Sequence, residues 1–428
     1  MKRIIFRIRE YESFVAEKNI YGYHSLPQHV FIKLEDFILS SHRNDGEALE
    51  LMDISFRKGI GKIITARNYV GIITLDNGIT IEILPKINSA IEDDKYANRT
   101  KQLLLAMLKK QCKLPFKCLQ TASIATDKMP VLEIFIKEFL EETFIIVKRG
   151  LKRNYELVEE NSMMIKGKIL FSQHVKLNSW HKERCYVEFD SFSVNCPENR
   201  LIKTALLYLY KIVVSLKNRN NIKTLLNLLS DVQISKNYND DFSKCTFDRS
   251  TKEYSNVVLW SKIFLDSKSF TSFAGSENIW ALLFPMQLLF ERYVATILKK
   301  LATDRGFKVI IQDTTYNLFD EPLKNFLLKP DIVLIRELDN IVIVLDTKWK
   351  LLDVNKKNYG ITQADMYQMF AYLKKYKAKK VVVIYPKTEK IATNNIQFKS
   401  NDKTIVEIYF VDLFVASKSI NDLIDDII

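Results

Sequence analysis

Apolar and polar positions alternate in short runs over the first ninety or so residues, spread into helical stripes through the middle, and contract into strand-like runs after residue 330. Arg3 to Arg9 and Lys62 to Ala66 read as strands. Val70 to Leu75 and Ile79 to Leu84 flank Asp76-Asn77-Gly78, an Asn-Gly turn of the kind that sets hairpins. Ile87 to Thr100 reads as a polar linker, and Lys101 to Lys110 and Val131 to Val147 carry helical spacing. Asn195-Cys196-Pro197-Glu198-Asn199-Arg200 leads into LIKTALLYLYKIV, a capped helix with proline near its start. Leu225 to Leu229 continues the helical reading, and Asn237 to Asp241 reads as a polar loop before the apolar Tyr254 to Leu265. The Ser-rich Asp266 to Glu277 marks a domain boundary. No repeat or low-complexity tract interrupts the chain.

Beyond that boundary, Ala281 to Lys300 places Met286, Leu289, Phe290, Tyr293, Val294, Ile297 and Leu298 on one helical stripe with Glu291 at its edge. Asp331 to Ile335 and Ile341 to Asp346 then form two strands joined by the polar Arg336 to Asn340, a hairpin. Antiparallel pairing brings Asp331 and Asp346 to one end of it. The period of two sends Lys348 to the same side as Asp346 and Thr347 to the other. A helix over Ile361 to Tyr376 puts Asp365, Gln368 and Tyr372 on one face. The apolar run Lys380 to Tyr385 suits a buried strand parallel to the one before the helix. Thr404 to Phe410 supplies another strand, so the order is β-β-α-β with a further strand to close the sheet. Two carboxylates and an ammonium converging at a strand end suit phosphodiester hydrolysis: the carboxylates hold Mg²⁺, which activates water, and the lysine steadies the water or the developing charge.

The remaining composition narrows the picture. A chain of 428 residues, 47% hydrophobic with few Gly and Pro, supports large cores in about three domains. A net charge of +13 points to a polyanionic partner such as DNA. Between Lys148 and Arg184, nine Lys and Arg face four Glu, with Lys166-Gly167-Lys168 and the aromatics Tyr155, Phe171 and Trp180 among them. A DNA-contacting surface and a solvated charged face both fit that segment. No apolar run approaches a membrane span, and the charged MKRIIFRIREYE start does not read as a signal peptide, so the expected location is cytoplasmic. The five cysteines show no C-x-x-C spacing and are expected to be buried and reduced; the five histidines form no metal-binding group. Gly59-Ile60-Gly61-Lys62 lacks the spacing of a phosphate loop, and no other stretch supplies one.

Pro330-Asp331, a gap, then Asp346-Thr347-Lys348, followed by Gln368 and Tyr372 on the next helix, resembles the core motif of the PD-(D/E)xK nuclease superfamily. That resemblance implies that Gln368 helps orient the site and that Glu291, on the preceding helix, adds a ligand to Asp331, Asp346 and Thr347. A wider ordered series resembles the McrC family of modification-dependent restriction systems. It comprises Ile81-Glu82-Ile83-Leu84-Pro85-Lys86, Arg149-Gly150-Leu151 to Tyr155, Lys166-Gly167-Lys168, Glu198-Asn199-Arg200 with Lys203, Phe284-Pro285-Met286 with Phe290-Glu291, and the two Asp motifs. The resemblance implies an α+β multidomain chain: a β-rich partner-docking domain over 1–88, a mainly helical middle with the basic segment over 89–265, and an α/β nuclease domain over 266–428. It further implies an Mg²⁺-dependent endonuclease subunit acting on double-stranded DNA with modified cytosine, and an McrB-like hexameric AAA+ GTPase as partner, docked through the Val70 to Leu84 hairpin. A self-sufficient endonuclease and a catalytically inactive DNA-binding or motor-activating adaptor are the alternatives.

Overall fold

A computed structural model describes residues 4–44, 51–75, 79–87, 94–111, 129–247, 252–265, 280–321, 325–389, 391–400 and 405–427. The described residues fall into two compact units, one drawn from Met1–Leu114 and Phe270–Ile428, the other from Met129–Ser269. The two ends of the chain, expected to form separate domains, therefore share one unit. The expected boundary at Asp266 to Glu277 and the turn at Asp76 to Gly78 lie outside the described residues.

The first unit opens with β1 (Ile5–Arg9), β2 (Ser13–Ala16), β3 (His24–Leu26), α1 (Gln28–Asn44), β4 (Met52–Arg57), β5 (Gly61–Ala66), β6 (Tyr69–Thr74), β7 (Thr80–Leu84) and α2 (Asp94–Gln111). Two four-stranded sheets result: one runs β3-β2-β5-β4, and the other runs β1-β7-β6 and is completed by a strand from far down the chain. Helix α1 departs from the all-strand expectation. Its Val30, Phe31, Leu34, Phe37 and Ile38 recur on one stripe and are buried against Phe14, Ile64, Ile73, Ile81 and Ile83. Helix α2 likewise begins inside the stretch read as a linker. The β6–β7 hairpin does not project. Both strands are buried along almost their whole length, because Val, Ile and Leu occupy both faces of each.

The second unit contains α3 (Val131–Arg149), β8 (Asn154–Ser162), β9 (Lys168–Ile169), α4 (Phe171–Asn178), β10 (Cys185–Ser193), α5 (Pro197–Ile212), α6 (Leu216–Leu228), α7 (Tyr238–Lys244) and α8 (Lys252–Leu265). Its helices pack around Phe135, Phe139, Trp260 and Phe264, whose rings meet at centroid distances of 5.6–5.9 Å. The stretch read as a loop at Asn237 to Asp241 is instead the start of α7, because the Asn237 side chain accepts from the Asn239 and Asp240 amides and caps a helix. The basic segment is also not helical throughout: an antiparallel sheet of order β8-β10-β9 lies in it. Its strands are mostly exposed or half-exposed, so acidic and apolar residues occupy both faces and no period of two stands out. Gly167 sits at φ +65°, and a Cβ there would meet the Glu188 carbonyl at 2.4 Å.

The first unit resumes with β11 (Trp280–Pro285), α9 (Met286–Thr303), β12 (Lys308–Ile311), β13 (Asn317–Phe319), β14 (Asn325–Leu327), β15 (Ile332–Arg336), β16 (Ile341–Thr347), α10 (Gln363–Lys375), β17 (Lys380–Pro386), β18 (Asn395–Lys399), β19 (Ile405–Val411) and α11 (Ala416–Ile427). The expected helix from Ala281 is a strand up to Pro285, paired antiparallel with β6. Pro285 has no amide hydrogen to donate and its ring would clash with a preceding helical turn, so no helix can run through it from Ala281, and Pro285 instead occupies the N-cap of the helix that starts at Met286. Gly71 permits that pairing: a Cβ there would lie 2.0 Å from the Leu282 carbonyl oxygen. The main sheet has six strands in the order β12-β15-β16-β17-β19-β18. The expected hairpin is β15–β16, and β17 joins β16 in parallel register with Asp346 beside Val383, as the apolar run at Lys380 to Tyr385 suggested. Strand β19 lies parallel to β17.

Candidate active site

Strands β15 and β16 pair with Ile332 opposite Leu345, so the residues just outside that pair, Asp331 and Asp346, stand at the same end. Asp331 immediately precedes β15 and Asp346 is the penultimate residue of β16. The Asp331 Oδ2 accepts hydrogen bonds from the Thr347 amide at 2.7 Å and the Thr347 hydroxyl at 2.6 Å. Thr347, expected to face away, thus latches the first carboxylate to the second strand. The alternation rule describes Cβ directions, and a hydroxyl on the last residue of a strand reaches around the edge that the rule ignores.

Asp346 is buried, with 3% side-chain exposure, and its Oδ2 lies 2.9 Å from the Lys348 Nζ. Burial, then the neighbouring Asp331 charge, push the Asp346 carboxyl up to about 7, and Lys348 opposes both. Burial weakens the Lys348 charge, but the Asp346 carboxylate outweighs it and leaves the ammonium above its ordinary value. The Lys348 Nζ also donates to Gln368 Oε1 at 3.2 Å, while Gln368 Nε2 donates to the Tyr372 hydroxyl at 2.8 Å. The donor-only Lys348 ammonium therefore fixes which end of the Gln368 amide faces it, and the Tyr372 hydroxyl accepts from the other end. Residues 368 and 372 occupy successive turns of α10, whose first turn is tied down by Thr362 and Asp365.

Glu291 on α9 accepts from Gln312 Nε2 at 2.8 Å, and the Gln312 amide donates to the Asp331 carbonyl at 2.8 Å. Burial, then the Asp331 charge, raise the Glu291 carboxyl. The five expected site residues, Asp331, Asp346, Lys348, Glu291 and Gln368, therefore gather at one rim of the sheet. Gln312 was not singled out in the sequence; its φ of +51°, unusual for a residue with a side chain, belongs to the backbone and leaves no sequence signal.

Two carboxylates at one strand end, one of them buried with Lys348 as its neutralising partner in the ion pair, offer hard oxygen ligands suited to Mg²⁺, which takes one or two carboxylates and fills its shell with water and phosphate. Among the described residues, no group of three or more His, Cys, Asp or Glu is placed to hold a metal by itself. Asp331 and Asp346 would supply only part of a coordination shell. Other motif residues are structural. In the second unit Glu198 pairs with Lys152 at 2.8 Å, Asn199 donates to the Lys152 and Val194 carbonyls, and Arg200 clamps Asp241 at 2.5 Å. Cys196 is buried, Cys185 and Cys245 are partly exposed, and Cys112 and Cys118 lie outside the described residues. No described helix is long and apolar enough to cross a membrane.

The family model of the McrBC 5-methylcytosine restriction system component matches residues 64–386. The chain belongs to that family. The McrBC assignment covers both halves of the site, from Glu291 to Gln368, as well as the whole second unit. Among solved structures, the half-complex of Thermococcus gammatolerans McrB AAA+ hexamers with bound McrC superposes with a TM-score of 0.73 at 18% identity, over 99% of this chain and 100% of that one. The Thermococcus gammatolerans McrBC complex gives a TM-score of 0.50 at 19% identity, over 69% of this chain and 88% of that one. At such identities the two likenesses establish a common fold. No curated protein matches the sequence.

Proposed function

We propose that this McrBC component is the DNA-cleaving subunit, an Mg²⁺-dependent endodeoxyribonuclease of the PD-(D/E)xK kind. One observation carries the reading: Asp331, Asp346 and Lys348 meet at the end of one hairpin, with Gln368 held against the lysine. Asp331, Asp346 and the Thr347 carbonyl would hold Mg²⁺, with Glu291 as the outer carboxylate. When bound, the ion supplies Lewis-acid polarisation of the phosphate and a water of lowered pKa. The Lys348 ammonium orients the attacking water and offsets charge developing on the phosphorane. Gln368 limits the lysine to one direction, and Asp346, in its ionised form, keeps the ammonium charged.

The partner is an McrB-like hexameric AAA+ GTPase, since the chain offers no nucleotide loop and the T. gammatolerans McrC is bound to such hexamers. The buried β6–β7 hairpin is a poor docking element. The far end of the β8-β10-β9 sheet is a better one, because Met163, Met164, Ile165, Phe171 and Trp180 are exposed there among Lys166, Lys168, Lys176 and Lys182. The test uses the full chain with its GTPase, 5-methylcytosine DNA, GTP and Mg²⁺. Asp346→Ala and Lys348→Ala should abolish cleavage and leave complex assembly intact; cutting by folded Asp346→Ala protein overturns the site. Cleavage by wild type without the GTPase or nucleotide would point to a self-sufficient endonuclease.

A further inference from the structure

A buried carboxyl just after β1 holds the side chain two residues past the end of the site-bearing strand β16. Glu10 directly follows β1, is 0% exposed, and anchors its own amide on the Leu84 carbonyl at 3.1 Å. Its Oε2 accepts from the Lys86 amide at 3.0 Å. Both of its oxygens face the indole nitrogen of Trp349, which donates at 3.2 and 3.1 Å. Trp349 is the residue after Lys348, is itself buried, and lies with its ring 5.4 Å from that of Phe290, the neighbour of Glu291.

This matters because Lys348 lies just past the end of β16. Its amide donates to the Ile384 carbonyl at 2.9 Å, extending the parallel ladder by one step, and its carbonyl accepts only a short-range bond from Lys350 at 3.1 Å. The next long-range anchor is the Trp349 indole in the Glu10 carboxyl. We infer that Glu10 is a positioning residue: by holding the Trp349 indole, it fixes the backbone from which Lys348 reaches Asp346 and Gln368. The inference rests on the hydrolytic reading of the site. Burial, opposed by the Lys86 amide and Trp349, pushes the Glu10 carboxyl up to about 8, so at neutral pH it is mostly uncharged and glutamine approximates it in shape and charge. A glutamine carbonyl at the Oε2 position can still accept from both Lys86 and Trp349.

The experiment compares Trp349→Phe, Glu10→Met, their double variant and Glu10→Gln in the full chain with its GTPase, beside wild type and Asp346→Ala. Trp349→Phe keeps a ring against Phe290 but removes the donor together with part of the indole's volume, and Glu10→Met, which leaves the indole whole, separates the two effects. We expect its kcat for cleavage to fall roughly 10- to 100-fold with KM for DNA nearly unchanged, the scale of a misplacement near 1 Å. Glu10→Met should match it, the double variant should fall no further, and Glu10→Gln should stay within about threefold of wild type. Hydrogen exchange at residues 347–350 is read in the same variants and needs no activity; it should quicken in Trp349→Phe and not in Glu10→Gln. Unchanged exchange in Trp349→Phe, or wild-type kcat in folded Trp349→Phe, overturns the positioning role. Wild-type protein that never cleaves, with exchange quickened as expected, overturns the nuclease reading and keeps the anchor.

Discussion

Replacing Asp346 by asparagine should stabilise the protein, and increasingly so as the pH rises. The carboxyl is buried and displaced from 3.8 to about 7 in the folded state. That displacement corresponds to about 4 kcal/mol between the two protonation states. The folded protein holds this proton more tightly than the unfolded chain, so the group's contribution is fully present below about pH 4 and is lost as the pH rises through about 7. Roughly 2.5 kcal/mol of that loss falls between pH 5 and pH 8. Asparagine does not titrate, so the variant's advantage over wild type should widen by this amount across the interval. The Lys348 attraction acts only once Asp346 is ionised and is already contained in the displaced value, so it adds no separate contribution to the comparison. The assay is native-state hydrogen exchange of the β16 amides at sub-denaturing urea, with a chelator present, at both pH values. A constant difference, or one that narrows, would refute the account of a strained buried carboxylate.

Further outcomes follow from the same geometry. Mg²⁺ affinity, read by calorimetry, should weaken roughly tenfold per pH unit below about 7, because binding must displace the Asp346 proton. Gln368→Ala should lower kcat about tenfold while leaving thermal stability nearly unchanged, since its amide serves only Lys348 and Tyr372 at the partly open rim; a large loss of melting temperature would contradict this. Gly167→Ala should destabilise the second unit by about 1–3 kcal/mol in urea unfolding, as the added Cβ meets the Glu188 carbonyl. Arg200→Met should cost about 3–5 kcal/mol by the same measurement, because it strands the buried Asp241 carboxylate.

Local patterns with one buried face were legible in the sequence. The alternation and apolar runs around Asp331 and Asp346 gave the hairpin, the parallel β17 and the convergence of Asp331, Asp346 and Lys348, because register there follows directly from the period of two, whereas Gln368 was placed at the site by the resemblance alone. Long-range pairings were not legible. Nothing near Ala281 to Phe284 announces that Leu283 must lie against Gly71, and nothing near Glu10 announces Trp349. The β8–β10 ladder was hidden because its residues face solvent on both sides, so no burial imposes a pattern. Helix α1 did carry a stripe, from Val30 to Ile38, and its reading was obscured only by the strands that surround it in sequence.

The pairing of β11 with β6 sets a timetable for synthesis. Strand β6 is complete at Thr74, but its partner begins at Trp280, about 200 residues later. At roughly 5–20 residues per second, a ribosome leaves that apolar edge open for about 10–40 s. The entire second unit emerges during this interval with the partners of its own core, from Phe135 to Trp260, all inside it. It can therefore fold while β1, β7 and β6 wait for the rest of their sheet, although the β3-β2-β5-β4 sheet already has all its strands by Ala66. Protease digestion of ribosome-bound chains carrying residues 1–279 ahead of an unstructured linker long enough to clear the exit tunnel would reveal that order as a resistant second unit beside cleavage around β6 and β7.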